Sequence, residues 1–181
     1  MVLSLAVAMA GVLAFFLFVM PHTRNEQPVA VVDDANVSVT SFARQAPYQV
    51  LAPRGLAASL WKPTSVRIDG PGTSEGTTAD QASMTIGYVV DRKNDRTFAR
   101  FQVTNQPDAV QTLLGNRPTT GHEAIAGRTW DERGAGGHLA LTLTTGGSTI
   151  IVDDGGGSGG ASPTDLAALA ASVSVVPTAV S

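Results

Sequence analysis

The sequence predicts an α+β protein: one N-terminal transmembrane helix, then a mainly antiparallel, curved β-sheet packed against a few short helices. Three observations predict it. Residues 2–20 carry no charged side chain and are almost wholly apolar. Segments such as 83–90 and 138–144 alternate apolar and polar side chains, the two-residue period of a half-buried strand. The strand-like segments also follow one another without the strict strand–helix–strand order of a parallel sheet.

Val2 to Met20 reads VLSLAVAMAGVLAFFLFVM, interrupted only by Ser4 and Gly11. At 1.5 Å per residue such a helix spans about 28 Å, close to the ~30 Å hydrocarbon layer of a bilayer. Pro21 ends it. A cleaved signal peptide fits less well, because no Lys or Arg precedes the run and bulky Phe16, Leu17, Phe18 and Met20 occupy its end. The segment therefore reads as a signal anchor over 1–20, followed by a stalk over 21–37 and a globular domain over 38–176. Arg24 after the helix, counted literally, favours a cytoplasmic C-terminus. A hydrophobic run that starts at the initiator instead suggests a start assigned too late, with basic residues upstream and the domain outside the cytoplasm.

Val29, Val31 and Val32 offer one edge strand within the stalk. Ser38 is the expected cap of a short helix with Val39, Phe42 and Ala43 on one face, ending before Pro47. Tyr48, Val50 and Pro53 predict a brief extended piece, Leu56, Leu60 and Trp61 an anchored loop, and Ser65–Ile68 a strand. Residues 69–82 are nearly devoid of apolar side chains and read as a mobile loop. Ser83–Val90 places Met84, Ile86, Tyr88 and Val90 on one face, and a polar turn at 91–96 leads to Arg96–Val103. There Phe98 and Arg100 share one face, and Ala99, Phe101 and Val103 the other.

Gln106 and Pro107 open a helix that ends at Gly115. Three strands follow: His122–Asp131, His138–Thr144 with Leu139, Leu141 and Leu143 inward, and Ser148–Val152, the last two joined through Gly146 and Gly147. Residues 155–160, GGGSGG, read as a flexible linker. Ser162, Pro163 and Asp165 then start a helix whose buried side is Leu166, Leu169, Ala170 and Val173.

Composition narrows the functional classes. The net charge of −3 provides no basic footprint, so no nucleic-acid partner is expected. The absence of cysteine excludes disulfides, thiolate metal sites, a cysteine nucleophile and an acylated N-terminal cysteine. The histidines are His22, His122 and His138, and no nucleophile motif accompanies them; the acids Glu123, Asp131 and Glu132 are the nearest pieces of a triad. Histidine spacing suited to zinc is lacking, and Asp153-Asp154-Gly155 has neither the alternating ligands nor the closing glutamate of a calcium loop. GGGSGG lacks the Lys and Ser/Thr of a phosphate loop. Trp61 and Trp130 are expected in the core, and Asn36-Val37-Ser38 matches a glycosylation triplet too short to weigh. No catalytic, cofactor-binding or metal-binding residue is assigned, and the chain is expected not to be an enzyme.

Several stretches together resemble a known family: VLSLAV at the start, APYQVLAP at 46–53, the GL…WKPTSVR stretch at 55–67, IGYVV at 86–90 and DLAALAASV at 165–173. The chain resembles the actinobacterial "domain of unknown function 4245" proteins, over almost its whole length. That resemblance implies a membrane-anchored protein without an assigned activity, usually with a basic cytoplasmic tail that this sequence lacks. The expected role is a single-pass, plasma-membrane, extracytoplasmic interaction or sensing module for an envelope protein or ligand. A binding module for a small apolar or cell-wall-derived ligand, held between sheet and helices, is the alternative. An enzyme using Asp131, Glu132 or His138 comes third.

Overall fold

The computed structural model describes residues 31–72, 78–93, 95–157 and 159–178. The predicted transmembrane segment at 2–20 and most of the stalk lie outside them. Among the described residues no helix is long and apolar enough to cross a membrane.

The first helix, α1, runs Ala35–Gln45 and buries Val39, Phe42 and Ala43, the face that the sequence predicted. Its cap is Asp34 rather than Ser38, whose N–H already donates to the Asp34 carbonyl at 3.0 Å inside the first turn. Residues 35–37 thus belong to α1 and not to a stalk. The edge strand expected around Val31 reduces to one bond, from the Val32 N–H to the Pro63 carbonyl at 2.8 Å.

Seven antiparallel strands form the main sheet: β2 (Trp61–Asp69), β3 (Ser83–Arg92), β4 (Asp95–Thr104), β5 (Thr119–Ile125), β6 (Arg128–Ala135), β7 (His138–Thr145) and β8 (Ser148–Asp153). Their spatial order is β2-β3-β4-β8-β7-β6-β5, two meanders joined at β4–β8. The helix α2 (Ala109–Leu114) carries the chain from one meander to the other. β8 is the central strand, which explains why Ile150, Ile151 and Val152 are all fully buried. β1 (Leu51–Pro53) pairs separately with β9 (Val173–Val175), a two-stranded ribbon that the sequence did not announce.

Where the sequence predicted one strand at His122–Asp131, there are two, β5 and β6, folded back at Ala126-Gly127. Both turn residues have positive φ, 49° and 76°, the mirror-type hairpin turn that matches strand twist. β2 is also longer than expected. It begins at Trp61, and a register shift between Pro63 and Ser65 breaks the alternation that would have revealed it. α2 starts at Ala109, two residues beyond the expected Pro107, because Asp108 adopts a left-handed conformation.

The alternation of β3 and β4 was read correctly: Met84, Ile86, Val90, Ala99, Phe101 and Val103 are at most 2% exposed. They face a core closed by α1 and by α3 (Pro163–Ala171), whose Leu166, Leu169 and Ala170 are fully buried. Trp61 and Trp130 also lie in this core, Trp61 edge-on to Tyr88 at 5.9 Å. Of the predicted leucine stripe only Leu141 is buried; Leu139 and Leu143 pack at its margin. Burial raises the hydroxyl pKa of both Tyr48 and Tyr88.

α3 begins as predicted. The Ser162 hydroxyl accepts from the Asp165 N–H, and Asp165 in turn accepts from the Ser162 N–H and hydroxyl. Arg92 adds a two-point ion pair to the same carboxylate. Desolvation by burial pushes the Asp165 pKa up, but the bonds from Arg92 and Ser162 outweigh it and hold the pKa below 3.8. A carboxylate depressed in the folded state stabilises the fold above its unfolded pKa and loses that contribution as pH falls through the folded value. The Arg92 side chain is 43% exposed, so solvent screening keeps the contribution of the ion pair small. Denaturant midpoints measured from pH 5 down to pH 2 should therefore fall more steeply for the parent chain than for Asp165→Asn, and parallel curves would refute the assignment.

Residues 155–157 and 159–160 do not behave as a free linker. Gly155 and Gly156 N–H groups donate to Asp153 and Asp154. Gly159 and Ala161 then bracket Phe98 by backbone bonds of 2.9 and 2.8 Å. A Cβ on Gly160 would stand 2.9 Å from the Asp154 carbonyl oxygen, so glycine permits this close approach. In the loop at 69–82, the Gly72 N–H donates to the Thr78 carbonyl at 3.1 Å.

Candidate functional site

Strand alternation sends Phe98, Arg100, Gln102 and Thr104 of β4 to the face opposite the main core. β8 contributes Ile151 and Asp153 to that face, and β7 contributes His138, Ala140 and Thr142. β6 adds Asp131 and Arg133. α2 covers part of it, with Val110 and Leu114 packed on Ala140 and Ile151. This second face gathers much of the protein's hydrogen-bonding chemistry.

Asp153, 1% exposed, is its most buried charge. It accepts from Arg100 Nε at 3.0 Å, Gln102 Nε2 at 3.2 Å and the Gly155 N–H at 2.7 Å. A carboxylate this buried needs such donors. Asp154 follows on the next residue. It accepts from the Gly156 and Leu139 N–H groups and stands 2.9 Å from His138 Nδ1.

Both sequence-flagged histidines within the described residues thus meet a carboxylate. His138 pairs with Asp154, and His122 Nδ1 lies 2.8 Å from Asp131 Oδ1. His122 is 65% and Asp131 42% exposed in their side chains, an arrangement that leaves water free access. No serine, threonine or tyrosine hydroxyl is bonded to either ring among the described residues, so each pair is a dyad without a nucleophile. Glu132 sits beside Gly121, and Glu123 is exposed on β5. His22 lies outside the described residues.

Among the described residues no three His, Asp or Glu side chains converge as metal ligands. Asn36, Val37 and Ser38 lie in the first turn of α1, and the Asn36 carbonyl accepts from Thr40. At the hairpin tip Asp91 takes bonds from Lys62 and Arg96, and these, in that order, hold its carboxyl below the usual range.

Three of the surface recesses are lined by described residues. One of about 800 Å³ runs along Pro47–Val50 and Val175–Thr178, and one of about 330 Å³ lies between α1 and Pro53–Gly55. A third, of about 420 Å³, lies between the end of α2 and β6 and is lined by Arg117 and Arg133. Neither histidine lines any of the three. The space between the sheet and α1 and α3, where a small apolar ligand was considered, is filled by Phe42, Phe101, Trp130, Leu166 and Leu169, each at most 1% exposed.

Sequence reasoning did not find the Asp153 network or the arginine recess. The first was partly visible, because alternation already put Arg100 on the face away from Phe101. Nothing local announces that Arg133 donates to the Arg117 carbonyl across the β5–β6 hairpin.

A family model described as a protein of unknown function (DUF4245) matches residues 1–173. No curated protein and no solved structure matches the chain.

Proposed function

Since the chain belongs to the DUF4245 family of proteins of unknown function, we propose that it is a single-pass membrane-anchored protein whose domain acts outside the cytoplasm as a non-catalytic interaction or sensing module of the cell envelope. The tether is residues 2–20, whose length and uniform apolarity suit a bilayer. The observation that carries the interaction reading is Phe98. It stands 49% exposed on the face of β2–β4 that α2 leaves open, opposite Val89 of β3 and two residues from Arg100 on the same face of β4. A half-exposed aromatic ring on an otherwise polar sheet face is the composition of a contact centre more than of a solvated one.

The two histidine dyads support a non-catalytic reading, because among the described residues neither meets a hydroxyl, and neither lines the three recesses described. The filled interior disfavours a ligand held between sheet and helices. The test is made in cells. With no native cysteine, Ser74→Cys should react with a membrane-impermeant maleimide in intact cells. Reaction only after permeabilisation would place the domain in the cytoplasm and overturn the envelope reading. A photo-cross-linking residue at position 98 should give one discrete adduct in the same cells, and the same residue at Glu123 none. Failure at both positions would remove Phe98 as the contact.

A further inference from the structure

Arg133 is fixed in place by two bonds, from Nε to Thr142 Oγ1 at 3.2 Å and from Nη1 to the Arg117 carbonyl at 3.3 Å. Its Nη2 stands 3.9 Å from Asp131 Oδ2, beyond hydrogen-bond length, and that carboxylate is already engaged by His122. Arg117 is half-buried, and its side chain has no hydrogen bond or ion pair with any described residue. Its Nη1 is shut off from solvent without a partner. A buried guanidinium N–H without an acceptor costs its desolvation with nothing in return. Both arginines line the recess of about 420 Å³, which is open enough to admit a small anion. The one carboxylate on its wall, Asp108, is exposed and bonded to neither arginine.

We propose that this recess between α2 and β6 is an oxyanion-binding site, in which Arg117 and Arg133 together hold a phosphate or carboxylate group. Guanidinium groups present paired N–H donors that match the two oxygens of such groups. Arg133 is held ready by Thr142 and the loop carbonyl, and Arg117 carries the unspent donors. Asp108 opposes binding and sets the affinity low. The site does not depend on the topology proposed above and would operate in either compartment.

The test uses the full chain in nonionic detergent, with backbone amide resonances of Gly115, Asn116 and Gly134 followed by NMR. Sodium phosphate and sodium acetate are titrated separately at constant ionic strength. Saturable shifts are expected with at least one of them; a tighter phosphate midpoint assigns a phosphate group, and a tighter acetate midpoint a carboxylate. Arg117→Gln should weaken the midpoint at least tenfold, and it loses no bond that the fold uses. Arg133→Lys should weaken it while keeping the charge, and Arg67→Gln, an exposed arginine on β2, should leave it unchanged. Asp108→Asn should tighten binding about threefold, a gain that misfolding does not imitate. Non-saturating shifts with both anions, or an Arg117→Gln titration that overlays the parent curve, overturn the proposal.

Discussion

Replacing Trp130 with alanine should destabilise the domain by about 3–5 kcal/mol, a large part of the 5–15 kcal/mol that holds a typical domain together. Trp130 is 0% exposed and sits on β6 inside the cluster formed by the sheet and α3. Truncation removes the largest fully buried side chain and leaves a void that neighbours packed at that density close only in part. The melting temperature should fall by about 10 °C. A conservative change should behave differently for a specific reason: the Trp130 indole N–H is buried without a partner. Trp130→Phe deletes that orphan donor along with one ring, so its cost should stay within about 1.5 kcal/mol. If Trp130→Phe proves as damaging as Trp130→Ala, the indole N–H is bonded after all, and a buried water is the natural partner.

The second large effect belongs to Asp153. Asp153→Ala removes the acceptor shared by Arg100, Gln102 and Gly155, and should cost about 3 kcal/mol. Little of this is the ion pair itself, because the Arg100 side chain is 36% exposed and water screens it. Most comes from the Gln102 amide, 6% exposed, which loses its acceptor, whereas the exposed Gly155 N–H turns to water. Asp153→Asn keeps a carbonyl oxygen in place and should lose only about 1 kcal/mol. Urea unfolding separates the two, since the midpoint should shift while the slope stays constant. An Asp153→Ala midpoint within error of the parent would mean that the network contributes nothing net.

The parts of the fold legible in the sequence were those where one face of an element meets one environment. β3 and β4 alternate cleanly because β2 and β8 flank them and one face meets the core, while α3 announces itself through Ser162, Pro163 and Asp165. Legibility failed where tertiary partners decide the local structure. Ala126-Gly127 lacks the Asn or Asp that usually marks such a turn, and Ile125 and Trp130 are too sparse to show a phase change between β5 and β6. Residues 155–160 have the composition of a linker, but Asp153, Asp154 and Phe98 supply the bonds that dock them. Three-residue strands such as β1 and β9 are shorter than any period can reveal. Of the site, the alternation of β4 exposed Phe98 and Arg100 together, whereas the meeting of Arg117 with Arg133 depends on the β5–β6 hairpin that the sequence concealed.

The β1–β9 ribbon has a consequence for the order in which the chain assembles. Leu51 pairs with Val175 and Pro53 with Val173, partners near opposite ends of the domain. The two meanders, by contrast, close through neighbours in sequence and need little loop entropy. During synthesis the meanders can zip as they emerge, while Val50, Leu51 and Ala52 wait for residues 173–176 before their backbone is satisfied. Residues 173–176 act as a fastener, and synthesis that stops before them leaves a sheet without its clasp.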